Sequence, residues 1–179
     1  NSAPYWYLDY HCETPALEIP SSKTGLILKG NGEDRVYVYA HAYCGEWANH
    51  NYVLHVAADD VKVENFRLRN DYGVSYSSGV KISGDDVTLE NVGVEVSNNY
   101  NTQSITITGT SGFTIRDSQW HATDYFPENA GLYGTDVRGV TFQGMNYQVD
   151  QGGSTGIYLQ GNYTLVIGDT LAPSPTRIY

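Results

Sequence analysis

Residues 59–70 read DDVKVENFRLRN, and residues 85–98 read DDVTLENVGVEVSN. In both segments two Asp residues precede a valine, and an Asn follows: Asn65 in the first segment and Asn91 in the second. The segments begin 26 residues apart, at Asp59 and Asp85. A paired Asp can serve acid–base chemistry, but Asp also accepts backbone N–H bonds in turns. Its recurrence at a fixed spacing favours a turn that the fold uses twice.

The same period of about 26 residues continues through the chain, which predicts a repeat architecture. The position of Asn65 is followed at intervals of 25 to 27 residues only by residues that tolerate a left-handed backbone, namely Asn91, Asp117, Gly144 and Asp169. Each repeat contains three short segments, or strand sets, in which apolar residues alternate with polar ones, and this two-residue period is typical of strands. The first repeat shows these sets as Leu54/Val56, Val61/Val63 and Phe66/Leu68.

Three short strands per repeat without an intervening helix predict that each strand lies beside its counterpart in the next repeat. The pattern therefore predicts an all-β parallel solenoid of about six coils, each with three short strands. We expect an N-terminal arm or cap over residues 1–23, the solenoid over 24–172 and a C-terminal tail over 173–179. In an upstream coil, Leu26/Leu28 and Val36/Val38 would fit the first two strand sets.

The segments VKISGDDVTLENVGVEVSN, ITITGTSGFTIRDSQWHA, LYGTDVRGVTFQGMNYQV and IYLQGNYTLVIGDTLA resemble the right-handed parallel β-helix proteins of the pectate-lyase-like superfold. The resemblance implies a right-handed, single-stranded parallel β-helix. It also implies a turn ladder of stacked side-chain amides, which Asn65 and Asn91 match and Asp117 departs from. A fold of this kind does not specify a reaction.

The family includes polysaccharide lyases and hydrolases, and GDD at 84–86 resembles the paired-Asp motif of the hydrolases. The accompanying GHG and RIK-like segments are missing, as is the Arg-plus-acidic arrangement of a calcium-dependent lyase. We therefore predict no catalytic residue, with Asp85 and Asp86 as the alternative pair, and no cofactor or metal site. The sequence favours a protein that is not an enzyme.

The longest loops follow the third strand set and carry aromatic side chains among Asn and Ser. Such surfaces suit contact with a glycan or with a protein partner, although the rings could equally pack onto their own coil. The candidate contact residues are Tyr72, Tyr76, Tyr100, Tyr125 and Phe126. Asn162-Tyr163-Thr164 matches an N-glycosylation acceptor.

The composition indicates which classes of partner and which cellular compartment the chain suits. Only 10 Lys and Arg in 179 residues, with a net charge of −10, argue against a nucleic-acid partner. No apolar run is long enough for a membrane span, and the opening NSAPYWYLDY reads as a mature chain after signal-peptide removal. Cys12 and Cys44 are expected to form a disulfide, as in a secreted protein, and two buried free thiols are the alternative.

These observations predict a secreted structural protein that assembles with copies of itself in a filament, sheath or virion surface. The ends of the predicted solenoid carry no amphipathic capping helix, and an uncapped sheet end favours association. Polysaccharide or other surface proteins are further candidate partners. The alternative functions are a carbohydrate-active or glycan-binding module and one domain of a longer surface protein.

Overall fold

A computed structural model describes residues 5–9, 17–31, 37–41, 51–70, 77–96, 103–122, 130–135, 137–143, 146–149, 155–160 and 165–167. These residues form sixteen strands: β1 Tyr5–Asp9, β2 Leu17–Ile19, β3 Ile27–Lys29, β4 Tyr37–His41, β5 Asn51–Val56, β6 Lys62–Asn70, β7 Ser77–Ile82, β8 Thr88–Val96, β9 Gln103–Thr108, β10 Ser111–Arg116, β11 Gln119–Ala122, β12 Ala130–Thr135, β13 Arg138–Gln143, β14 Asn146–Val149, β15 Thr155–Gln160 and β16 Leu165–Ile167.

The strands belong to two parallel sheets. The six-stranded sheet has the order β15-β12-β9-β7-β5-β2. The ten-stranded sheet follows the path β1-β4-β6-β8-β10-β13-β16, with β3 paired to β6, β11 paired to β8, and β14 paired to β11. Every pairing between the described strands is parallel, so each strand runs in the same direction as its neighbours.

The prediction of a right-handed, single-stranded parallel β-helix with about six coils of three short strands is wrong. The structure has two parallel sheets, and in the described part of the chain there is no helix and the sheets do not close into a solenoid. Asn65 and Asn91, expected to end one strand and begin the next, lie inside the continuous strands β6 and β8. Their φ angles are 63° and 52°, and a single left-handed residue can bend a strand without ending it. All-parallel sheets are otherwise typical of α/β proteins.

The 26-residue spacing appears as the register of both sheets. Val63 of β6 lies beside Leu89 of β8, and Leu89 lies beside Ile115 of β10. In the six-stranded sheet, Leu54 of β5 lies beside Val80 of β7. Residues one repeat apart therefore form rows across each sheet, and side chains in a row share one face.

The upstream segment pairs differently from the expectation. Leu28 lies beside Val63, so it belongs to the second strand set, and Val38 lies beside Leu68, in the third. The first set is continued upstream by β2, where Leu17 lies beside Leu54. Leu17 and Leu54 are more than 26 residues apart in the sequence, so the 26-residue period did not predict the pairing of β2 with β5.

One hydrophobic core receives side chains from both sheets. Phe113, Phe142 and Leu89 of the ten-stranded sheet and Leu54 and Ile105 of the six-stranded sheet are almost fully buried in it. Burying a side chain of this size stabilises the fold by about 1.5–3 kcal/mol. Burial of these rows of Val, Ile, Leu and Phe thus explains why apolar residues recur at the inward positions of each repeat.

Gly84 lies where the backbones of two repeats approach closely. A Cβ atom added to Gly84 would lie 2.0 Å from the carbonyl oxygen of Ala58. The amide of Gly84 donates to Val56 O at 3.3 Å, next to the 2.9 Å bond from Ser83 N to the same oxygen. A glycine is required here because any side chain would collide with the neighbouring backbone.

Candidate functional site

The paired Asp residues form stacked turns between neighbouring repeats. The Asp59 carboxylate accepts the N–H of Asp85 at 2.8 Å, and the Asp85 carboxylate accepts the N–H of Ser111 at 2.7 Å. The second Asp of each pair, Asp60 or Asp86, has a φ of 54°. The carboxylates of Asp59 and Asp85 therefore cap the backbone of the next repeat, as Asp does in turns.

The turn position occupied by Asp60 and Asp86 continues as glycine in the next two repeats. Gly112 and Gly139 have φ angles of 70° and 74°. The Asp86 carboxylate lies over Gly112, where an added Cβ would come within 2.1 Å of its Oδ1. The second position of the paired-Asp motif thus requires a positive φ, which glycine can also adopt.

A surface depression of about 150 Å³ lies beside this turn and is lined by Asp85, Gly109, Thr110, Ser111 and Arg138. Among these lining residues Asp85 carries the only carboxylate, and its Oδ1 is already bonded to the backbone of Ser111. Acid–base catalysis by two carboxylates needs both groups at the substrate. Asp86, the other member of the alternative pair, does not line the depression.

The two turn-ladder asparagines are hydrogen-bonded to each other. Asn91 Nδ2 donates to Asn65 Oδ1 at 2.7 Å, across one repeat. The third position is Asp117, which is exposed and has a φ of 48°. Its neighbour Ser118 is buried, and its hydroxyl accepts the N–H of Val92 at 2.9 Å while it donates to Arg116 O at 2.7 Å.

A row of charged side chains crosses the ten-stranded sheet. Glu64 lies between Lys29, at 2.6 Å, and Lys62, at 2.5 Å. Lys62 also contacts Glu90 at 3.0 Å, and Glu90 accepts Arg116 Nε at 2.8 Å. Glu64 and Glu90 lie beside each other in the register, and Lys62 bridges them, so along these contacts each charge is compensated by a neighbour of opposite sign.

These contacts shift the protonation of the row. Hydrogen bonds from Lys29 and Lys62 lower the pKa of Glu64 to about 2. Burial raises the pKa of Glu90, but hydrogen bonds from Lys62 and Arg116 outweigh it, so that this pKa is lowered. Hydrogen bonds to Glu64 and Glu90 raise the pKa of Lys62. All three groups stay charged at neutral pH, which suits a structural ion-pair row and not a proton donor.

A second polar arrangement lies on the six-stranded sheet, and its residues were not singled out from the sequence. His55 Nε2 lies 2.9 Å from Ser83 Oγ, and His55 Nδ1 lies 3.4 Å from Glu18 Oε1. Burial and the nearby Lys81 lower the pKa of His55, and Glu18 partly opposes this shift. Glu18, His55 and Ser83 are referred to below as the His55 cluster.

An aromatic ring and a cation flank the His55 cluster. The Tyr52 ring centroid is 6.3 Å from that of His55, and Lys81 Nζ lies 5.2 Å from the Tyr52 centroid. Burial raises the pKa of the Tyr52 hydroxyl to about 12. Tyr52 therefore remains neutral here, and Lys81 supplies a positive charge beside the imidazole.

Several predicted residues lie outside the described part of the chain. These are the cysteines Cys12 and Cys44, the loop aromatics Tyr72, Tyr76, Tyr100, Tyr125 and Phe126, and the glycosylation acceptor Asn162. Among the described residues, no group of three or more His, Cys, Asp or Glu side chains could hold a metal ion. Nor does the described part contain a helix long and apolar enough to cross a membrane.

A scan against protein-family models finds no match to the chain, and a search of curated proteins finds none either.

Proposed function

We propose that the chain is a structural subunit of an extracellular assembly, such as a filament, sheath or virion surface, and that its copies add head to tail at the ends of the two sheets. One observation carries the proposal. Ile27 on β3 is 63% exposed and the adjacent Leu26 is 37% exposed. Among the described strands β3 pairs only with β6, which occupies one of its two backbone edges. Unpaired apolar edges are sites of strand addition.

The opposite end of the ten-stranded sheet offers a matching strand. β16 pairs only with β13 among the described strands, and its sequence Leu165–Ile167 is apolar throughout. The row that contains Leu28 and Val63 ends at Ile167. One further step of the same register would place β16 of one copy beside β3 of the next, with Val166 next to Ile27.

The six-stranded sheet ends in the same way. Its terminal strands are β2 and β15, and each pairs with one neighbour among the described strands. A head-to-tail contact would extend both sheets by parallel pairing, and such an interface does not close on itself. Heterologous contacts of this kind generate open filaments.

The size of the effect can be estimated from Ile27. Fully burying an isoleucine contributes about 1.5–3 kcal/mol, and with 63% of the residue still exposed roughly 1–2 kcal/mol of this remains available at an interface. Since each 1.4 kcal/mol is a factor of ten, losing this contact would weaken association roughly 5- to 30-fold.

Sedimentation velocity over a wide concentration range, with electron microscopy of the same samples, tests the proposal. The wild-type chain is expected to form elongated oligomers. Ile27→Thr should shift the assembly midpoint to higher concentration by the factor above, and threonine suits the row because Thr88 and Thr114 follow in it. Thr114→Ser, in the interior of the same row, is the matched control and should assemble as the wild type does. A wild-type chain that stays monomeric at every concentration would refute the proposal.

A further inference from the structure

The His55 cluster has the arrangement of a hydroxyl, a general base and an orienting carboxylate. Glu18 on β2, His55 on β5 and Ser83 directly after β7 come from three neighbouring strand positions of the six-stranded sheet. The Ser83 Oγ to His55 Nε2 distance is 2.9 Å, and the His55 Nδ1 to Glu18 Oε1 distance is 3.4 Å. Such arrangements are recognised by geometry and role, since they recur on unrelated folds.

The polar neighbours of His55 favour one tautomer of its ring. A carboxylate at Glu18 can only accept, so Nδ1 carries the proton that faces it. Nε2 is then unprotonated and accepts the Ser83 hydroxyl proton. Because burial and Lys81 lower the pKa of His55, the imidazole is neutral at neutral pH, as a general base must be.

The cluster is accessible from solvent. The His55 side chain is 18% exposed and that of Glu18 is 49% exposed, while Ser83 is partly exposed. The exposed parts of His55 and Ser83 leave this face of the sheet open to a small acyl group.

Lys81 is the cation that the described contacts place beside the His55 cluster. The amides of Ser83 and Gly84 both donate to Val56 O, so they are not free to bind an oxyanion. Lys81 lies beside His55 in the sheet register and two residues before Ser83, on the same face of the sheet. Its ammonium group lies over the Tyr52 ring, so it would have to turn toward Ser83 to stabilise negative charge that develops there.

We propose that Ser83 is the nucleophile of an acyl-transfer site that hydrolyses small esters. Ser83 Oγ attacks the ester carbonyl while its proton passes to His55 Nε2. The tetrahedral intermediate collapses, the C–O bond to the alcohol breaks, and His55 returns the proton to the departing alkoxide. Water, deprotonated by His55, then attacks the acyl-serine and releases the carboxylic acid, and the proton returns to Ser83 Oγ. Glu18 is a positioning residue that holds the Nδ1–H tautomer.

The expected turnover is slow. Loss of one oxyanion-hole donor in an ester or peptide hydrolase reduces kcat by about 10²–10³-fold, and here both nearby amides are already bonded. The lack of oxyanion donors slows acylation and deacylation alike, but the good leaving group of an activated ester speeds acylation only. Acyl-serine should therefore accumulate with such an ester, giving a burst of one equivalent of alcohol followed by slow release.

The full chain is incubated with a fluorophosphonate probe and, separately, with p-nitrophenyl acetate, and the modified peptide is mapped by mass spectrometry. We expect a single adduct on Ser83 and a p-nitrophenol burst. Ser83→Ala should abolish both, and His55→Gln should slow them by about 10²–10⁴-fold, the usual contribution of a general base. Ser22→Ala, at an exposed turn serine outside the cluster, is the matched control and should react as the wild type does.

The pH profile separates chemistry from a structural role. The labelling rate should fall as His55 becomes protonated, with a midpoint below 6.5, the ordinary imidazole value. Glu18→Gln should lower this midpoint further while leaving circular dichroism unchanged, because the Glu18 carboxylate raises the pKa of His55. Labelling of the wild type at a residue other than Ser83, or an equal rate in His55→Gln, would overturn the proposal even if Ser83→Ala failed to fold.

Discussion

Substitution of Asn91 tests what the left-handed residues within the strands contribute to stability. The contribution can come from their tolerance of positive φ, from the hydrogen bond between their side chains, or from both. Asn91 has a φ of 52° and its Nδ2 donates to Asn65 Oδ1 at 2.7 Å. Asn91→Ala loses the hydrogen bond, about 1 kcal/mol, and places a non-glycine residue that lacks a polar side chain in the left-handed region, about 1–2 kcal/mol. We therefore expect Asn91→Ala to lower the free energy of unfolding by about 2–3 kcal/mol.

Asn91→Gly separates the two contributions. It loses the same hydrogen bond but adopts positive φ freely, so it should cost about 1 kcal/mol less than Asn91→Ala. For a domain of this size, Asn91→Ala corresponds to a fall in Tm of roughly 4–12 °C. Urea and thermal unfolding followed by circular dichroism measure both variants. Equal losses for alanine and glycine would refute the argument from φ.

A double-mutant cycle isolates the amide pair itself. Asn65→Gly, Asn91→Gly and the combined variant all remove the bond without introducing backbone strain at φ 63° or 52°. A coupling energy of about 0.5–1.5 kcal/mol is expected if the 2.7 Å contact stabilises the fold. A coupling near zero would mean that the stacked amides merely share a conformation.

The remaining predictions concern the charged row and the close backbone contact. The pKa of Glu64 is lowered from 4.5 to about 2, so the stability it contributes is fully present above pH 4.5 and is lost as the pH falls towards 2. Urea midpoints between pH 2 and 7 should therefore separate the wild type from Glu64→Gln at neutral pH and converge in acid, whereas parallel curves would contradict the pairing with Lys29 and Lys62. Gly84→Ala should destabilise the fold by about 3 kcal/mol or more because its Cβ would lie 2.0 Å from Ala58 O. Gly109→Ala, where the added Cβ meets open space but φ is 63°, should lose only about 1–2 kcal/mol in the same unfolding assay, and equal losses would show that the close contact relaxes.

The sequence period predicted which residues lie side by side but not how many sheets they form. Spacings such as Val63 to Leu89 follow from the repeat and appear in the register. A left-handed Asn can end a strand or bend it, and the local pattern around Asn65 is the same in both cases. The number of sheets depends on whether the backbone pairing continues past that residue, as it does in β6.

The 26-residue period could not predict the His55 cluster, for a different reason. Ser83 lies 28 residues from His55, so the contact runs diagonally between neighbouring strands. Glu18 lies beside His55 in the register although 37 residues separate them in sequence. A search for nucleophilic side chains 28 residues after His55, two more than one repeat, would have found Ser83. Only the pairing of β2 with β5 shows that Glu18 lies beside His55.

The uniform register also has a consequence for how the chain acquires its structure during synthesis. From β6 onward, each strand leaving the ribosome finds its partner about one repeat upstream, as Leu89 finds Val63 and Ile115 finds Leu89. The loop to be closed is therefore nearly the same at each step, and its entropic cost varies little because that cost grows slowly with length. Elongation and folding can then proceed together. A translational pause would leave a partly built sheet with one growing edge, the same kind of edge at which we propose that another copy adds.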